Sequence, residues 1–133
     1  MILIQLKVAG VQYHVMTWKD IRLELAQASR FPHGSPHRCY LLHVPLGLDG
    51  LIDESEVRAS PKRATVRRFW PSERDLRGQI VQTADGWAFA YEPRNNDDEM
   101  LFGMDINPIR VGECMTLTEP DGKRLPFRIT AIN

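Results

Sequence analysis

Histidine and cysteine are concentrated in one short stretch, residues 31–43, which reads FPHGSPHRCYLLH. Imidazole and thiolate are the usual zinc ligands, so this spacing first suggests a metal site. The second half of the stretch alternates as a strand does, however, and at about 3.4 Å per residue His37 and His43 would lie about 20 Å apart. Zinc–ligand bonds of about 2.0–2.3 Å cannot bridge that distance. We therefore predict no metal site and no cofactor, and the one subset that merits a test is His33, His37 and Cys39.

Basic side chains are concentrated in residues 58–77, RASPKRATVRRFWPSERDLR, where seven Lys and Arg meet two acidic residues. Arginine beside aromatic rings can bind phosphates and stack on bases. The candidates for an anion or nucleic-acid site are Arg63, Arg67, Arg68 and Trp70. On a strand, Arg67 and Arg68 would face opposite sides, so the run forms no continuous basic stripe. Lys+Arg and Asp+Glu number 17 each, and this zero net charge argues against a general nucleic-acid binder. We expect instead a solvated arginine-rich face with internal ion pairs.

An acidic segment follows, EPRNNDDEMLFGMD at residues 92–105, with a single arginine. It lacks the alternating Asp/Asn ladder, central Gly and final Glu of a calcium loop. The segment is better suited to complement the basic run electrostatically, either within one molecule or between two.

Catalytic signatures are missing from the sequence. There is no nucleophile elbow, no H-E-x-x-H zinc motif and no glycine-rich phosphate loop. Cys39 with His37 or His43 would be residues on one strand face, whose side chains point in parallel rather than at each other. No motif in the sequence indicates catalysis, and we favour a protein that is not an enzyme.

Period-2 alternation dominates the chain and predicts short strands separated by turns. DIRLELA (residues 20–26) fits a strand better than a helix, since the alternation accounts for every residue. A short helix is expected after Asp53, which with Glu56 has capping-box spacing, and Pro61 should end it. Asp-Gly at residues 85–86 and the turn at residues 119–122 indicate hairpins. The predicted fold is all-β, one antiparallel barrel or sandwich of about eight short strands with one short helix.

A single domain is expected over residues 1–133, because no linker or repeat divides the chain. Residues 1–15 could be an extra edge hairpin or an N-terminal extension. Two cysteines allow at most one disulfide, and we find neither a signal peptide nor an apolar run long enough to span a membrane. These features predict a cytoplasmic protein without a membrane contact.

One strand face carries an aromatic stripe, Trp87, Phe89 and Tyr91, with Ala88 and Ala90 on the other face. In a small barrel such a stripe can line a ligand cavity. More often the rings simply fill the core.

Two stretches, RATVRRFWPSERDLRGQIVQTADGWAFAYEP and IRVGECMTLTEPDGKRLPFRI, make residues 16–133 similar to a group of small uncharacterised proteobacterial proteins. The resemblance implies a bacterial cytosolic origin and transfers no activity. We therefore expect a non-enzymatic binding or interaction module, with an unidentified protein partner or self-association. The alternatives are a small-ligand-binding barrel lined by the aromatic stripe, and anion or nucleic-acid binding through residues 58–77.

Overall fold

The computed structural model describes residues 5–8, 11–84, 86–92, 101–104 and 108–133, and it describes side chains within 15–84, 86–92 and 108–133. One α-helix, α1 (Glu54–Ala59), and one 3-10 turn (Pro61–Arg63) lie among strands. The strands are β1 (Gln5–Val8), β2 (Val11–His14), β3 (Met16–Leu25), β4 (Ser35–Gly47), β5 (Thr65–Phe69), β6 (Leu76–Thr83), β7 (Gly86–Glu92), β8 (Leu101–Met104), β9 (Cys114–Thr118) and β10 (Arg124–Ile132).

Eight of these strands form one curled antiparallel sheet that closes into a barrel, in the order β10-β3-β4-β5-β6-β7-β8-β9. Between β8 and β9, the structure describes one register pair, Met104 opposite Leu117. Strands β1 and β2 pair antiparallel in a two-stranded sheet of their own. The predicted all-β antiparallel fold with one short helix is confirmed.

Alternating apolar side chains explain why these segments are strands and which face is inside. In β3, Ile21, Leu23 and Leu25 are buried, whereas Arg22 and Glu24 between them are partly exposed. A strand with one buried face requires this period of two. The strand predicted over residues 20–26 is therefore confirmed against the helical alternative, except that the strand ends at Leu25.

Strand β4 follows the same rule over residues 40–44. Tyr40, Leu42 and Val44 point into the core, as the alternation predicts. Cys39 belongs to the opposite face, yet it is only 4% exposed. It lies between the neighbouring strands, opposite Glu24 on one side and Phe69 on the other. Neighbours on both sides bury a small side chain even on the outer face of a sheet.

Helix α1 begins where the capping-box spacing predicts. Asp53 Oδ1 accepts a hydrogen bond from the Glu56 backbone N–H at 2.9 Å, which satisfies a donor that the first turn leaves free. Val57 is the buried residue of the helix. Pro61 starts the 3-10 turn that leads into β5.

Both predicted hairpins are present, β6–β7 and β9–β10. Asp85 and the acidic residues Asp97, Asp98, Glu99 and Asp105 lie outside the described part of the chain. Within the described residues, no helix is long and apolar enough to cross a membrane.

Candidate functional site

The two adjacent arginines of β5 lie on opposite faces of the barrel wall, as the alternation predicts. Arg67 is exposed on the outer face. Arg68 points inward and is 4% exposed. The basic run therefore supplies two chemically separate places, an outer pocket and an internal ion pair.

A surface pocket of about 330 Å³ lies on the outer side of β5 and β6. The neighbouring strands set its polar residues in pairs, with Thr65 opposite Gln79 and Arg67 opposite Arg77. The 3-10 turn contributes Lys62, and the end of β7 contributes Glu92. The described residues that line it are Lys62, Thr65, Val66, Arg67, Arg77, Gly78, Gln79 and Glu92.

Three cations face this pocket, and two of them are direct cross-strand neighbours. Like charges placed opposite each other on a sheet destabilise it. Within the described residues, no side-chain hydrogen bond or ion pair joins Lys62, Arg67 or Arg77 to any other group. Arg67 does stack on the Phe69 ring, with its guanidinium carbon 4.8 Å from the ring centroid. Glu92 lies opposite Arg77 in the register, yet the two side chains do not form an ion pair. Three cations and one carboxylate therefore line the pocket, and none of the three cations forms an ion pair among the described residues.

Gly78 lets β6 approach β7 closely at this pocket. A Cβ atom built on Gly78 would lie 1.9 Å from the backbone oxygen of Ala90. No side chain can be placed there without moving the backbone, so the sequence needs glycine at this position.

Inside the barrel, Arg68 forms a buried ion pair with Glu119, which follows β9. The Arg68 Nη2 and Nε atoms donate to Glu119 Oε1 at 2.8 and 3.2 Å. The Tyr40 hydroxyl donates to Glu119 Oε2. Arg68 Nη1 also donates to Glu73 Oε1 at 3.1 Å, and Glu73 is about half exposed. Both charges of the buried pair are therefore satisfied, as burial of ions requires.

Burial has the largest effect on the pKa of the acidic groups in this network. Desolvation raises the pKa of the Glu119 carboxyl, and the hydrogen bonds from Tyr40 and Arg68 oppose that rise. Desolvation also raises the pKa of Tyr40 and of Tyr91, whose hydrogen bond with Tyr40 acts in the opposite direction. These phenols stay protonated at neutral pH, so Tyr40 can donate to the carboxylate.

Trp70 belongs to the barrel interior and not to the outer pocket. It packs against the core, and the Arg68 guanidinium carbon lies 4.2 Å from its ring centroid. A second arginine, Arg38, lies 4.3 Å from the Phe31 centroid and 5.6 Å from that of Trp70. Trp70 and Arg68 therefore do not line the outer pocket with Arg67, although the sequence pattern placed all three in one candidate site.

Arg63 is also separated from the pocket. Its guanidinium carbon lies 4.1 Å from the Trp18 ring centroid. Trp18 stacks in turn on His43, whose Nδ1 lies 2.7 Å from Asp20 Oδ1. Of the four arginine-run candidates, Arg67 alone lines the pocket.

The aromatic stripe of β7 packs in the core. Phe89 is fully buried, and Trp87 and Tyr91 are 8% and 9% exposed. The Phe89 centroid lies 5.6 Å from that of Tyr40 and 6.2 Å from that of Tyr91. Ring contacts at these distances are typical of packed aromatic pairs.

The three residues proposed for a metal test, His33, His37 and Cys39, have different surroundings. Cys39 is buried beside Arg22, whereas His33 and His37 are exposed. His33 lines a second pocket of about 380 Å³ together with Glu24, Ser35 and Arg128. Among the described side chains, no group of three His, Cys, Asp or Glu is placed to hold a metal ion.

Several residues of these sites were not singled out from the sequence. Lys62 and Arg77 were counted in the basic run but not selected. Lys62 reaches the pocket from the 3-10 turn, and Arg77 lies opposite Arg67 through the pairing of β5 with β6. The same pairing brings Gln79 to the pocket, and the pairing of β6 with β7 brings Glu92. Glu119 carried one signal, a carboxylate at the start of the EPDG turn after an apolar strand.

The chain matches no protein-family model, no curated protein and no solved structure. The resemblance seen in the sequence stays a prediction, and functional inference depends on the geometry above.

Proposed function

We propose that this protein is a non-enzymatic binding module that holds an anionic ligand in the outer basic pocket. The observation that carries the proposal is the cross-strand pair of Arg67 and Arg77 beside Lys62 around one concavity. An anion placed between these cations would offset their mutual repulsion and accept charge-assisted hydrogen bonds.

Two further features support a binding role for this pocket. The three cations form no ion pair among the described residues, unlike Arg68, whose charge is compensated by Glu119 and Glu73. The strands also fix the backbone on either side of the pocket, so little order must be gained on binding.

The test is isothermal titration calorimetry with inorganic phosphate at low ionic strength. We expect saturable binding that weakens as sodium chloride is added. Arg67→Gln and Arg77→Gln should each weaken binding by about tenfold, the equivalent of about 1.4 kcal/mol for one charge-assisted contact.

The matched control is Arg30→Gln, which removes an exposed arginine from the β3–β4 loop. It should leave phosphate affinity unchanged. Absence of binding at low salt, or equal losses in Arg30→Gln and Arg77→Gln, would rule the proposal out.

We further propose the cytoplasm as the compartment, with another protein or a second copy of the chain as the partner. Cys39 and Cys114 are both free thiols, which a reducing compartment preserves. Sedimentation velocity at several concentrations tests self-association. A strict monomer that recovers no partner on affinity purification would count against both kinds of partner.

A further inference from the structure

The basic pocket also contains groups that an anion alone does not need. Gln79 and Thr65, which are opposite each other, offer an amide and a hydroxyl. Glu92 adds a carboxylate, placed opposite Arg77 and exposed to solvent. A carboxylate repels a bare anion but accepts hydrogen bonds from hydroxyl groups. The pocket therefore combines cationic groups with groups that accept hydrogen bonds.

We propose that the ligand is a phosphorylated sugar, whose phosphate lies between Lys62, Arg67 and Arg77. Its hydroxyl groups then donate to Glu92 and Gln79. This inference rests on the proposed anion-binding function and names the ligand class for the same pocket. The volume of about 330 Å³ is at the small end of the range for small-molecule sites, which suits a monosaccharide phosphate.

A single-stranded nucleic acid fits the same surface less well. Binding of that kind uses aromatic rings with free faces on which bases stack. No aromatic residue is among the described residues that line the pocket. The two rings with arginines near it are already covered, Phe69 by Arg67 and Trp18 by Arg63.

Calorimetry with glucose 6-phosphate, glucose, inorganic phosphate and a thymidine oligonucleotide tests the inference on the full chain. We expect glucose 6-phosphate to bind at least about tenfold more tightly than phosphate, the gain from one or two added hydrogen bonds. Glucose alone should show no binding, because it lacks the charged group.

Glu92→Gln provides a signature that a general loss of folding cannot imitate. Removing the carboxylate should tighten phosphate binding by up to about threefold and reduce the preference for glucose 6-phosphate to less than about threefold. Arg30→Gln should reproduce the wild-type values for both ligands.

The remaining outcomes separate this inference from the proposed function. If phosphate and glucose 6-phosphate bind equally well to the wild type, the sugar-phosphate inference fails and anion binding stands. Binding of neither refutes both. If Glu92→Gln keeps the wild-type preference, the assigned hydroxyl contact is wrong. Tighter binding of the oligonucleotide, with a steep salt dependence, would identify a nucleic-acid ligand and overturn the inference.

Discussion

Replacing Arg68 by methionine should destabilise the barrel by an amount that grows with pH. The change leaves Glu119 buried at 3% exposure without its cation. The Glu119 carboxylate can then bind a proton, which removes the free-energy cost of burying an unpaired charge. Removing one partner of a buried pair typically costs about 3–5 kcal/mol, but protonation limits the loss.

The pKa of Glu119 sets an upper limit on this loss of stability. In the wild type, burial already raises the pKa of Glu119 above its usual 4.5, and Arg68 restrains that rise. Without Arg68 the folded-state pKa moves further up, so the carboxyl stabilises the fold at low pH and loses that contribution as pH rises. At 1.36 kcal/mol per pH unit, keeping the group protonated at pH 7 costs at most about 3.4 kcal/mol.

Urea denaturation followed by tryptophan fluorescence measures this dependence. We expect Arg68→Met to lose about 3 kcal/mol of unfolding free energy relative to wild type at pH 7, and at least about 1 kcal/mol less at pH 5. In the double variant Arg68→Met with Glu119→Gln, the extra pH dependence should disappear because no carboxyl remains. A loss below about 1 kcal/mol at pH 7, or an equal loss at both pH values, would refute the account of the pair.

Three further substitutions test the backbone and its caps by the same denaturation assay. Gly78→Ala should cost about 3 kcal/mol or prevent folding, since its Cβ would meet the Ala90 oxygen; a loss under about 1 kcal/mol would contradict the close approach of β6 and β7. Asp53→Ala should cost about 1 kcal/mol through loss of the helix cap, and an unchanged stability would count against the cap. Ser72→Gly should stabilise by up to about 1 kcal/mol, because Ser72 has φ of 64°; destabilisation would mean that its conformation is not strained.

Local patterning made most of the fold predictable. Alternation in β3 and β4 identified the strands and their inner faces, and the spacing of Asp53 and Glu56 located the helix. Such signals depend on residues close in sequence, so a single chain displays them directly.

The sites were less predictable because they depend on which strands become neighbours. The sequence grouped Arg67 with Arg68 and Trp70, and the fold divided them between outside and inside. The partner of Arg68, Glu119, lies 51 positions away along the chain. Arg77 lies opposite Arg67 because of the register between β5 and β6, which no local sequence pattern encodes.

The most direct test of the anion pocket is an NMR titration of the isotope-labelled protein with inorganic phosphate. We predict that backbone amide signals of residues 65–67 and 77–79 shift together with one dissociation constant. Amide signals of residues around the second pocket, 24–36 and 128–130, should not shift. Shifts confined to the second pocket, or none on β5 and β6 at saturating phosphate, would contradict the account.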